Sequence, residues 1–117
     1  MRATFIRFGE IEIDGRRYTD DVVIVRGTVR LRDKSPSRKY KARFGHTPLS
    51  SKEDIPWDCQ RLVIGTGANG LLPIMKKVYE KAEKRGVELV TVRTEEACKL
   101  LSKADLKTTN AILHLTC

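Results

Sequence analysis

Three glycines, Gly65, Gly67 and Gly70, stand in the spacing G-x-G-x-x-G between an apolar run at residues 62–64 and an amphipathic run that begins at Leu71. On a strand-to-helix turn, this spacing aims backbone N–H groups and a helix N-terminus at one point, which suits an anion. Thr66 and Asn69 add polar side chains, and His114, near the end of the last apolar run, adds a titratable one. These six residues are the candidate anion loop. A dinucleotide site needs, in addition, an acidic residue about 20 positions on, at the carboxyl end of the second strand. Glu88 has the separation but opens its strand, and no Lys-Ser or Lys-Thr follows Gly70 as a P-loop requires. No cofactor is expected.

A second chemistry is polyanion binding. Residues 26–43 hold eight cationic side chains against Asp33 alone, so this stretch carries nearly all of the chain's net charge of +8. The alternation of Thr28, Arg30 and Arg32, and of Lys39, Lys41 and Arg43, predicts a hairpin with a basic face, joined by a loop that carries Lys34 and Arg38. Such a ribbon neutralises phosphates without reading sequence, and its binding weakens with salt. The plainer reading of the same residues is a solvated edge that resists unwanted strand pairing.

Catalytic and metal chemistry find less. His46 and His114 are the only histidines, and His114 and Cys117, three apart on a strand, point to opposite faces. Cys59, Cys98 and Cys117 show no C-x-x-C spacing, so reduced thiols are expected and a thiolate metal site is not. No nucleophile–base–acid order or carboxylate pair stands out.

The elements that must position these residues change character midway. Residues 4–8 and 11–13, the Asp14-Gly15 turn signal and the β-branched run at residues 22–25 predict an antiparallel β-meander. Residues 45–56, with Pro48 and Pro56, read as a loop, and Trp57 as a plug at the core's edge. From Arg61 on, strand and helix alternate. Residues 61–65 form a strand. Leu71, Ile74, Met75, Val78 and Ala82 recur at helical spacing up to a left-handed cap at Gly86. Lys76, Lys77, Lys81, Lys84 and Arg85 are that helix's wet face. Residues 87–92 make the next strand, Thr94 is expected to cap a helix carrying Ala97, Leu100, Leu101 and Ala104, and residues 111–115 close the order. The expected fold is a single compact α/β domain over residues 1–117 with a mixed sheet, a C-terminal parallel β-α-β-α-β unit and an N-terminal antiparallel β-meander whose strands add antiparallel pairs or form a second small sheet.

No apolar stretch approaches the roughly 18 residues that span a bilayer, and no leader pattern opens the chain, so a cytoplasmic protein without membrane partners is expected. Side-chain amides are confined to Gln60, Asn69 and Asn110 while Lys, Arg and Glu abound, a bias of thermophilic proteins.

Phe8-Gly9-x-Ile11-x-Ile13-Asp14-Gly15-x-x-Tyr18-x-x-Asp21-Val22, Ile64-Gly65-Thr66-Gly67, Thr94-Glu95-Glu96-Ala97 and the run from Ile112 to Cys117 occur in that order. Together they resemble a small α/β family of archaea and bacteria, to which the mitochondrial complex I assembly factor 3 and an adipogenesis-associated animal protein belong. The resemblance covers nearly the whole chain and implies a compact α/β domain with a mixed sheet. It implies no settled reaction or cofactor. Many members carry a tryptophan-rich, less basic stretch where this chain has residues 30–43, so a role for that stretch belongs to this chain alone.

Three function classes follow. The first is a non-catalytic binding or assembly-type domain, meeting an unknown protein partner or a small anion at residues 65–70 and His114. The second binds nucleic acid or another polyanion through residues 26–43. The third is an enzyme acting on a small anionic substrate at the glycine loop. Monomer and homodimer are both open.

Overall fold

A computed structural model describes residues 1–117. Eight strands and three α-helices follow one another along the chain. Strands β1 (Ala3–Arg7), β2 (Glu10–Ile13) and β3 (Arg16–Tyr18) form a small antiparallel sheet. Its second turn is the expected Asp14-Gly15 pair, with φ of 50° and 84°, the double left-handed geometry that two-residue hairpins require. Arg26 and Gly27, φ 48° and 80°, repeat the device between β4 (Val22–Val25) and β5 (Thr28–Leu31).

The larger sheet runs β5-β4-β8-β6-β7, where β6 is Arg61–Thr66, β7 Glu88–Val92 and β8 Thr109–His114. β6 is parallel to both β7 and β8, whereas β4 is antiparallel to β8 and β5. The mixed α/β architecture is therefore the expected one.

Period-two alternation sorts the sheet's side chains into two cores. Val22, Ile24, Val63, Ala111 and Leu113 pack with Ala97, Cys98 and Leu101 of α3 (Thr94–Lys103) and with Ile11 and Ile13 of the small sheet. Val23, Leu62, Ile64 and Ile112 face the other way, against Val78 and Ala82 of α2 (Lys76–Arg85) and against Leu49, Ile55 and Trp57 of the long loop.

Three local expectations are corrected. The second strand of the basic hairpin does not form: Ser35–Tyr40 is a 3₁₀-helical segment and Lys41–Phe44 a single α-turn, α1. Ser37 explains it, since its buried hydroxyl donates to Glu53 and meets the Ser50 hydroxyl at 2.7 Å, pulling the segment off the sheet edge. α2 starts at Lys76, not at Leu71. Residues before it are extended: the N–H of Leu49 donates to the Pro73 carbonyl at 2.8 Å, and that of Met75 to the Leu49 carbonyl at 3.0 Å. Thr94 does not cap α3; Arg93 holds that position, and no side chain bonds the free N–H groups there.

Candidate functional site

β6 leads to β7 on one side while β8 flanks it on the other. Strand order thus reverses at the carboxyl ends of β6 and β8, the place where open α/β sheets hold ligands. Gly65, Thr66 and Gly67 sit there beside His114, whose register partner is Thr66. Gly65 is required for packing: a Cβ would lie 2.9 Å from the Thr94 hydroxyl and 3.0 Å from Leu113.

The crevice is filled by the chain itself. Every N–H from Gly67 to Leu72 donates within the protein. Gly67 bonds the Thr94 hydroxyl at 2.8 Å, Ala68 the Thr116 oxygen at 2.7 Å, and Asn69 and Leu71 the Cys117 oxygen at 3.2 and 3.0 Å. Gly70 returns to Gly67 and Leu72 to Thr66. The Thr66 hydroxyl donates to the Val92 carbonyl at 3.0 Å. Only the exposed Asn69 side chain points away. α2 begins beyond Met75, and the helix start that adjoins the turn is that of α3, whose Thr94 N–H donates to the Gly67 carbonyl at 3.2 Å; the turn's own backbone N–H groups from Gly67 to Leu72 are all taken.

His114 belongs to a buried ionic chain. Its Nδ1 lies 2.8 Å from Oδ2 of Asp21, which accepts from Arg32 Nη1 at 2.9 Å; Asp21 Oδ1 accepts the Leu115 N–H at 2.9 Å. Arg32 then engages Glu53. Burial pushes the Asp21 carboxyl up, but the hydrogen bond and charge of His114, the Leu115 N–H and Arg32 outweigh it and hold the group at about 2. The His114 Nε2 stands 3.3 Å from the Thr116 hydroxyl, giving a hydroxyl–imidazole–carboxylate line. The five principal concavities of the surface include none of its three members.

The basic stretch is divided. Arg26 pairs with Asp58, and Arg30 with Asp54 at 3.4 Å. Arg32, expected on an outer face, is buried between Asp21 and Glu53. Lys34, Arg38, Lys39, Lys41 and Arg43 leave the sheet with the 3₁₀ segment and α1, and all but the half-buried Lys34 are exposed. Arg43 is thereby brought toward α2.

There the structure shows a groove along the face of α2 whose lysines predict only a solvated surface. A concavity of about 670 Å³ is lined by Lys52, Lys77, Lys81, Lys84 and Arg85 with one carboxylate, Glu80. It shares Ser51, Lys52, Lys77 and Glu80 with a second, of about 500 Å³, to which Tyr40, Arg43, Phe44, Ile74 and Met75 contribute. Glu80 has its own partner, Lys76, at 3.8 Å. Arg43, Lys52, Lys77, Lys81, Lys84 and Arg85 make no ion pair. The first turn of α2 holds Lys76 and Lys77 and no acidic residue, a placement that opposes the helix dipole. That reversed charge, together with lysines at residues 77, 81 and 84, is the signal in the sequence for this surface.

A family model described as a protein of unknown function (DUF498/DUF598) matches residues 4–103. The chain is similar to a solved structure, the conserved hypothetical protein PH1505 from Pyrococcus horikoshii OT3, with 30% identity, 100% of both chains covered and a TM-score of 0.82. It shares its fold with a protein named MT938, at 22% identity over 98% and 99% of the two chains with a TM-score of 0.69. It also shares it with an outer membrane protein from Bartonella henselae, at 15% identity over 94% and 90% with a TM-score of 0.62. No curated protein matches it significantly.

Proposed function

Since this chain belongs to the DUF498/DUF598 family, whose function is unknown, we propose that it is a non-catalytic binding domain whose working surface is the groove along α2 and whose ligand is a polyanion. One observation carries the reading: the cations lining this groove, Lys76 apart, are unpaired, whereas Arg26, Arg30 and Arg32 are matched by carboxylates. Clustered unpaired cations raise the local concentration of anions and speed their capture. The experiment is retention on heparin and titration with polyphosphate at two salt concentrations. Lys77→Glu with Lys81→Glu is expected to abolish binding, and Arg26→Gln with Arg30→Gln to leave it within about twofold. Equal losses in both pairs, or none in either, would refute the assignment to α2.

A second reading is a protein-assembly role like that of the complex I assembly factor in the resembling family. Exposed Phe8, Leu31, Leu71 and Tyr79 favour it, because large apolar side chains in water suit a partner. Sedimentation of the wild type against Leu31→Ser and Leu71→Ser tests whether that partner is a second copy. The three free cysteines support a reducing, cytoplasmic setting, and no helix is long and apolar enough to cross a membrane. Likeness to the Pyrococcus horikoshii protein supports a thermophilic, archaeal source; a melting midpoint within the mesophile range of about 45–65 °C would count against it.

A further inference from the structure

The groove is chemically two-sided. Its α2 half is cationic, with no apolar side chain among its lining residues. The adjoining half, against α1, presents Tyr40, Phe44, Ile74 and Met75 beside Arg43 and Lys76. A pure polyphosphate satisfies the first half and leaves the second idle. A duplex has its bases stacked inside and offers the aromatic half nothing.

Both halves repeat. Lys39 stands over the Tyr40 ring at 5.4 Å, and Arg43 over the Phe44 ring at 5.2 Å, so a cation–aromatic pair recurs one turn apart. On α2, Lys77, Lys81 and Lys84 recur at nearly one-turn steps, about 6 Å for each four residues. A ligand that matches both must itself repeat, with one charge and one flat ring per unit. An acidic peptide supplies the charges without an obligatory ring.

We propose that the occupant of this groove is a single-stranded nucleic acid, its phosphates on the α2 lysines and its bases against Tyr40 and Phe44. This deepens, and rests on, the polyanion reading above. Binding of this kind combines a cationic track with a stacking platform and tolerates sequence.

The test is fluorescence anisotropy with a labelled twelve-nucleotide oligo(U), against an abasic strand of equal charge, duplex RNA, inorganic polyphosphate and poly-glutamate. Oligo(U) is expected to bind, and to weaken about a hundredfold between 50 and 200 mM salt if five phosphates are contacted. Tyr40→Leu with Phe44→Leu, which keeps apolar bulk, is expected to lower oligo(U) affinity at least tenfold and to leave polyphosphate and the abasic strand within about twofold. Tyr40→Phe with Phe44→Tyr retains the rings and is expected to bind as wild type. Circular dichroism melts establish that each variant is folded. If polyphosphate, the abasic strand or the duplex binds as tightly as oligo(U), or the leucine variant loses nothing, the nucleic-acid inference fails while the polyanion reading stands. Tighter binding of poly-glutamate overturns it in favour of an acidic protein segment. If no polyanion binds at 50 mM salt, both fall.

Discussion

Arg32 and Glu53 meet through two parallel bonds, Nε to Oε1 and Nη2 to Oε2, each 2.8 Å long. Both side chains are almost wholly out of water, and the Pro48 carbonyl accepts a further bond from Nη2 at 3.1 Å. The pair fastens the long loop to the end of β5, and no buried side-chain nitrogen or oxygen is left without a partner. Glu53→Gln leaves Arg32 with Asp21 as its one carboxylate partner, turns one of the two parallel bonds into a donor-to-donor contact, and is expected to cost about 2–3 kcal/mol. A urea midpoint shifted by the equivalent of less than 1 kcal/mol would show that water compensates the loss.

Acid should find the same network. The Asp21 carboxyl is held at about 2 against an ordinary 3.8, because His114, the Leu115 N–H and Arg32 overcome its burial. A depressed carboxyl stabilises the fold fully above its unfolded value, and that contribution is lost as pH falls from near 4 through about 2. The loss amounts to about 2 kcal/mol. Urea midpoints measured from pH 6 down to 2 are expected to decline over that window, and the Asp21→Asn protein to start lower and decline less. Glu10 and Asp33 are also held low, by Arg17 and Ser35 respectively, but both are at the surface and add little.

Gly67 and Gly86 both have positive φ, 105° and 67°, and yet should respond differently to alanine. A Cβ on Gly67 would lie 2.5 Å from the Cys117 carbonyl carbon and 2.6 Å from the Thr116 oxygen. At Gly86 nothing lies within 4 Å. Gly86→Ala is expected to cost about 1–2 kcal/mol from backbone strain alone, and Gly67→Ala more than about 3 kcal/mol because backbone must also move. Equal costs in denaturant melts would mean that Thr116 and Cys117 yield freely.

Cys98 should be silent until the chain unfolds. Burial, with Glu95 nearby, pushes its thiol up to about 11, and its residue is 1% exposed. Thiolate is the reactive form, so a disulfide reagent at pH 8 is expected to label at most two thiols in the native protein and three in urea. Rapid native labelling of Cys98, located by peptide mapping, would reveal opening of α3.

What was legible in the sequence was local. Asp14-Gly15 announced its hairpin because only a few residues tolerate two left-handed positions, and Gly86 announced a helix end for the same reason. Unbroken apolar runs marked β4, β6 and β8, which are covered on both faces, and strict alternation marked β5. The errors arose where a distant partner decided the outcome. Leu71, Ile74 and Met75 mimic helical spacing, but Ile74 bridges Leu49 in an extended segment; Pro73, which disfavours helix at Leu72, was the local sign. Lys39 to Phe44 alternates like a strand, yet Ser37 is tied to Glu53 and Ser50, thirteen or more residues away. Arg32 was read as wet because its two carboxylates, Asp21 and Glu53, lie on either side of it in the chain with nothing nearby to indicate that they converge. The glycine turn was correctly placed at a strand end, but the strand that ends beside it returns to cover its donors.

The central position of β8 has a kinetic consequence. Thr109–His114 lies between β4 and β6, so the two halves of the large sheet have no hydrogen bonds to each other until this strand enters. β4 pairs at once with β5, but its other edge waits for a partner some ninety residues away, as with Val22 and Leu113. Long-range pairings of this kind slow folding, because the loop must close before any contact rewards it. A nascent chain that stops before Thr109 has an unclosed sheet with β4 and β6 each exposing an edge, and its core is expected to consolidate in one late step.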